Sequence, residues 1–137
     1  MRTGALAIAL IGCGGAIQYG SFVEGSSRIQ AAVAADAAQR LAADYEAEGA
    51  SIRFAHDARD AFGRSFATEL RKAGFAIKDS AGDASDGELG LRYVVDGIKG
   101  TDLLRVSLYV DRRALSRAYA QRSEGIYPAG PWSVGGP

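Results

Sequence analysis

An α+β fold, with two helices packed on an antiparallel sheet of about five strands as a sandwich, is what this 137-residue chain predicts. Three patterns carry that expectation. Ile29, Val33, Ala37, Leu41 and Tyr45 recur at every fourth position, which places them along one side of a helix. Ala58, Phe62, Phe66 and Leu70 do the same farther along, with Arg59, Arg64, Arg71 and Lys72 facing outward. Leu89, Leu91, Tyr93 and Val95, then Leu104, Val106, Leu108 and Val110, alternate with other residues at the two-residue period of a strand.

In chain order, Met1-Arg2-Thr3 gives a basic start, Ala5 to Ile11 an apolar run and Gly12 a small exit residue, the parts of a secretory signal over residues 1–12. That run falls short of the roughly 20 residues needed to span a bilayer. Leu10-Ile11-Gly12-Cys13 resembles the bacterial lipobox, whose cysteine is diacylated on sulfur, freed of the preceding peptide and acylated on its new N-terminus. Cys13 is therefore the expected lipidation site, and membrane lipid the expected partner through it. Gly14, where Asp would retain such a protein at the inner membrane, points by the sorting rule of lipoproteins to the outer membrane, facing the periplasm. The same glycines imitate a dinucleotide-binding turn. However, the third glycine of G-x-G-x-x-G falls at Ile17, and the next helix would have to run through Gly20 and Gly25.

Residues 13–25, rich in glycine, read as a flexible lipidated tether, and residues 26–137 as a single α+β domain. Ser27 with Gln30 fits a capping box that opens the first helix, and Gly49 closes it. Ile52 and Phe54 alternate in a short strand, after which Asp57 is placed to cap the second helix. Gly74 followed by Phe75 matches a left-handed helix stop with an apolar residue folding back. Phe75 and Ile77 begin another strand, Ser80 to Gly87 is a polar loop, and Gly97 to Asp102 joins the two long alternating runs as a hairpin. Leu115, Arg117 and Tyr119 continue the meander after a turn at Asp111 to Arg113. The proline-bearing tail from Ile126 to Trp132 is extended or a sheet edge.

Sixteen basic residues balance sixteen acidic ones, which argues against direct nucleic-acid binding. One Cys cannot form an internal disulfide, and one His leaves no recognisable metal set, so neither metal nor cofactor is expected. His56, Asp57 and Asp60 invite a general-base or metal reading, but a junction histidine beside a capping aspartate accounts for them. Asp79, Asp83, Asp86 and Glu88 lack the spacing of an EF-hand and read as a solvated turn. Ser65 and Ser107 lack a nucleophile-elbow context, and no catalytic residue is expected. Arg105, Arg112, Arg113, Arg117 and Arg122, interleaved with acids, read as a solvated sheet face. Tyr127, Pro128, Pro131 and Trp132 are the candidate partner-binding residues, because aromatics framed by prolines are common in protein contacts.

Taken with the lipobox, the runs Phe62-Gly63-Arg64-Ser65-Phe66-Ala67, Leu70-Arg71-Lys72-Ala73-Gly74-Phe75, Leu91-Arg92-Tyr93-Val94-Val95-Asp96, Leu115-Ser116-Arg117-Ala118-Tyr119 and Tyr127-Pro128-Ala129-Gly130-Pro131-Trp132 resemble the TrbH family of conjugal transfer lipoproteins. That resemblance implies a part of the plasmid-encoded mating-pair apparatus, a type IV secretion system, in which a small lipoprotein anchors and stabilises ring-forming core subunits. The expected function is thus structural or assembly, with protein subunits of the transfer complex as partners and no enzymatic activity. The alternative is a stand-alone periplasmic binding module for a glycan, lipid or other envelope ligand. Such a module calls for aromatics clustered on one sheet face, and Tyr93, Tyr109 and Tyr119 show no obvious convergence.

Overall fold

The computed structural model describes residues 18–24 and 26–136. The expected signal at 1–12 and Cys13 lie outside the described residues. Within them the order is β1 (Gly20–Ser21), α1 (Ser27–Asp44), β2 (Ser51–Phe54), α2 (Ala61–Lys72), β3 (Ala76–Ile77), β4 (Glu88–Gly97), β5 (Leu103–Val110), β6 (Arg113–Arg122), β7 (Gly125–Pro128) and β8 (Ser133–Gly135).

Both helices form where their apolar periods place them, but each cap is shifted. Ser26, not Ser27, caps α1, its hydroxyl accepting from the Ile29 amide at 3.2 Å. Gln30, expected in that capping box, is instead buried: its amide donates to the Val23 carbonyl at 3.3 Å and accepts from the Ser21 hydroxyl at 3.2 Å. The helix stops at Tyr45, whose extended backbone ends it before Gly49. Asp60, not Asp57, caps α2, accepting from the Gly63 amide at 2.7 Å. Asp57 takes the Arg59 amide and guanidinium in an exposed turn instead. Ala58, assigned to the apolar stripe, therefore precedes the helix, while Phe62, Phe66 and Leu70 are fully buried as expected. Gly63 lies against Tyr93 and the Ala58 carbonyl, where an added Cβ would collide. Gly74 at φ 110° and the Phe75 amide bonded to the Leu70 carbonyl at 3.1 Å complete the predicted stop.

The fold is α+β, but the sheet is larger than about five strands, and it is mixed rather than antiparallel. Among the described residues eight strands contribute, in the order β3-β2-β4-β5-β6-β7, with β1 also on β4 and β8 also on β6. β4, β5 and β6 form the antiparallel meander, with Tyr93 opposite Leu108 and Leu108 opposite Leu115. The strands that break the expectation are short. β1 pairs parallel with β4, and β2 pairs parallel with both β3 and β4. The two residues of β1 carry too little alternation to be recognised, whereas β3 lies where Phe75 and Ile77 predicted a strand, and the helix between β2 and β3 returns the chain in the same direction. Within the stretch expected as a flexible tether, Gly20–Ser21 is seated on Val94 and Val95.

One face of the sheet is the core face. Leu91, Tyr93 and Val95 of β4, Leu104, Val106, Leu108 and Val110 of β5, and Leu115 and Tyr119 of β6 are buried in one cluster with Val33, Ala37 and Leu41 of α1 and Phe62, Phe66 and Leu70 of α2. Residues of opposite parity, among them Val94, Ser107, Tyr109 and Ser116, lie on the face that carries no helix. The tail runs back along β6 as β7 and then β8. Tyr119 pairs with Pro128 and Ser116 with Ser133, so the register slips by two residues and Ala129 to Trp132 form a bulge.

Candidate functional site

Polar side chains concentrate where β1 and β2 meet the same edge of β4. β2 covers that edge as far as Leu91 and β1 resumes at Val94, leaving the Tyr93 amide between them. His56 fills the gap: its Nε2 accepts from that amide at 3.2 Å, and its Nδ1 donates to the Asp57 carbonyl at 2.9 Å. Both ring nitrogens are thus engaged in the neutral tautomer. Asp60 ties three elements together, accepting from the Gly63 amide, from the Tyr93 hydroxyl at 2.8 Å and from the Ser21 amide at 2.9 Å. Burial and the bond to Asp60 push the Tyr93 hydroxyl well above the usual phenol range.

Burial also lowers the affinity of His56 for a proton below its ordinary value of 6.5. The carbonyl of Asp57 and the charges of Asp60 and Asp57 pull the other way, and Arg92 reinforces the lowering. The unfolded chain therefore takes up a proton just below pH 6.5 that the folded chain refuses. The stabilisation is complete above pH 6.5 and is lost as pH falls through the lowered value. A melting temperature that declines on acidification from pH 7 toward 5 in wild type, with a flatter profile in His56→Gln, is the expected result. Glu88 acts in a separate window. The Arg53 guanidinium and the Ser85 amide hold its carboxyl down to about 2 from an ordinary 4.5, so its contribution is lost between those values.

Glu88 takes Arg53 in a two-pronged pair at 2.8 and 3.1 Å, and Arg53 also reaches the Ser80 carbonyl and hydroxyl. One member of the acidic loop is therefore committed to fastening that loop onto β2. Among the described residues no group of three or more His, Cys, Asp or Glu is arranged to hold a metal ion.

The expected solvated arginine face divides. Arg105 pairs with Asp96 at 3.0 Å on the face without helices. Arg113 and Arg117 turn the other way, meeting Asp44 at 3.2 Å and Asp36 at 2.7 Å on α1. Arg117 also donates to the Gly130 carbonyl at 2.8 Å and lies over the Trp132 ring at 5.8 Å, so one guanidinium fastens the tail bulge to the helix. Tyr119 is buried, and its hydroxyl donates to the same Asp36 carboxylate. The candidate partner-binding residues are thereby placed in two environments. Tyr127 is 44 % exposed, and Pro128 and Pro131 are exposed, whereas Trp132 is half-buried against the core.

Asp60 and the pair of Asp36 with Arg117 were the organising polar residues that sequence reasoning missed. Asp60 stands three residues before Gly63, a capping position as good as the one assigned to Asp57. Tyr93 and Tyr119 are in the core and Tyr109 is on the opposite face, so the three tyrosines do not converge. A hollow of about 700 Å³ beside α2 is bordered by Arg59, Arg64, Arg71 and Lys78, and a second of about 550 Å³ lies on the face without helices.

No helix among the described residues is long and apolar enough to cross a membrane. No curated protein and no solved structure matches the chain. A family model described as "Conjugal transfer protein TrbH" matches residues 16–136.

Proposed function

We propose that this chain, which belongs to the TrbH family of conjugal transfer proteins, is a lipid-anchored structural component of a conjugative type IV secretion apparatus. Its anchor is Cys13, its membrane the outer one, and its domain faces the periplasm. The family match over residues 16–136 is the observation that carries the transfer role. The lipobox Leu10-Ile11-Gly12-Cys13 carries the anchor. A structural rather than enzymatic role is supported by the employment of His56, Asp60, Tyr93 and Arg117, whose polar atoms bind backbone and neighbouring elements.

Deletion of the gene is expected to abolish or sharply lower mating, and wild type is expected to restore it. Cys13→Ser should fail to take up radiolabelled palmitate, because acylation requires the thiol, and should restore transfer poorly. A Cys13→Ser chain that still takes up label, or that fractionates with membranes and supports mating like wild type, contradicts the anchor. High salt should leave wild type on the membrane, since each buried methylene contributes about 0.8 kcal/mol and two or more chains hold stably.

The protein-binding part of this role belongs to the tail. Tyr127 offers an exposed ring framed by Pro128, and proline reduces the ordering entropy lost on docking. Tyr127→Ala is expected to leave the melting temperature unchanged and to lower mating. Trp132→Ala, because that ring packs against the core under Arg117, is expected to lower the melting temperature as well. Unaltered mating by a stable Tyr127→Ala chain would remove the tail from the partner surface.

A further inference from the structure

The path of the chain into the domain fixes which face is nearest any lipid at its N-terminus. Gln18 lines the hollow on the helix-free face together with Val94, Ser107, Ser116 and Ser133. Tyr19 lies on the same face, edge-on to Tyr109 at 5.8 Å and beneath the Arg92 guanidinium at 5.6 Å. The chain then passes the edge of β4 as β1, held by Phe22 donating to the Val95 carbonyl at 2.7 Å and by Ser21 donating to Asp60. Only after that edge does it reach Ser26 and α1 on the core side.

From Cys13 to Gln18 is five residues, a reach of at most about 18 Å when fully extended. Were the helices turned toward the bilayer, a helical layer about 10–12 Å across, the sheet itself and the detour around its edge would separate Gln18 from the lipid. That distance exhausts the tether. We infer that the helix-free face of the sheet lies against the membrane surface, in the phospholipid headgroup layer, leaving the helices directed away from the membrane. The inference depends on the proposed acylation of Cys13.

The chemistry of the face suits headgroups rather than hydrocarbon. Arg92 offers a cation for phosphate, Arg105 shares its charge with Asp96, and Ser107, Ser116 and Ser133 offer hydroxyls. Tyr19 and Tyr109 supply rings with a wet end and an apolar body, as membrane-interface residues do. Polar Asp96 and the serines surround Val94, so the face is not suited to insertion.

The test uses the full chain purified from membranes and reconstituted in phosphatidylethanolamine and phosphatidylglycerol vesicles, with a thiol-reactive dye on Ser133→Cys or on Ala42→Cys. Ser133 shares the helix-free face with its partner Ser116, while Ala42 is exposed on α1. Expected is loss of most Ser133→Cys fluorescence to a headgroup nitroxide and little to aqueous iodide, with the opposite ranking at Ala42→Cys. Equal quenching at the two sites, or the reverse ranking, overturns the orientation. Shielding of Ser133→Cys from both quenchers also overturns it, by showing that a second copy or another protein covers the face. The wild-type chain, whose one cysteine is Cys13, separates the premise from the inference: dye uptake there exposes a free thiol and overturns both, whereas an unreactive, acylated chain with the wrong quenching pattern overturns the orientation alone.

Discussion

Truncating Phe66 to alanine is expected to destabilise the domain by about 3 to 5 kcal/mol, a large share of the 5 to 15 kcal/mol typical of a folded domain. Its ring is wholly buried where α2 meets the sheet, 5.1 Å from Phe62, 6.0 Å from Phe54 and 6.2 Å from Tyr93 between centroids. Alanine would forfeit the transfer of that ring from water and leave a cavity that rings from α2, β2 and β4 cannot close without moving. The aromatic contacts add about 0.5 to 1.5 kcal/mol each beyond area alone. Urea unfolding at neutral pH measures the change, and a midpoint within experimental error of wild type would contradict the packing of α2 on the sheet.

Replacing Asp60 by alanine is expected to cost about 2 to 4 kcal/mol. Loss of the helix cap contributes about 1 kcal/mol, and stranding the buried Tyr93 hydroxyl about 1 to 3. Asp60→Asn separates the roles. Its amide oxygen can keep the positions of Oδ1, accepting from Gly63 and Tyr93, but an NH2 group then opposes the Ser21 amide where Oδ2 accepted. The asparagine variant should therefore lose less global stability than alanine while hydrogen exchange accelerates at the Ser21 and Phe22 amides. Equal exchange protection in wild type and asparagine would show that Asp60 does not hold β1.

The parts of this fold that could be read from sequence are those in which one period repeats several times. Phe62, Phe66 and Leu70 disclosed α2, and the alternation from Leu89 to Val95 and from Leu104 to Val110 disclosed β4 and β5, because burial on one face imposes the period. β1, of two residues, leaves no period to read, and although Phe75 and Ile77 disclosed β3, its parallel pairing with β2, like that of β1 with β4, is decided by long-range contacts. Adjacent serines at 26 and 27, and aspartates at 57 and 60, offered competing caps that only the packing of the finished helix decides. Arg117 is likewise ambiguous in isolation. Its position opposite Val106 turns it to the core side, where Asp36 is waiting from a distant part of the chain. The tail was correctly placed at a sheet edge, but the burial of Trp132 against an exposed Tyr127 follows from the bulge, which has no signature in a segment containing both Pro128 and Pro131.

The structural role in conjugation is tested most directly by the size of the particle that contains this chain. Envelopes from cells carrying the full transfer region, solubilised in mild detergent and separated on a sucrose gradient, are predicted to hold the wild-type chain in a large assembly. Cells expressing the chain without the other transfer genes are predicted to hold it as a small, slowly sedimenting species. Identical slow sedimentation in both cells, with mating intact, would contradict a structural place in the apparatus.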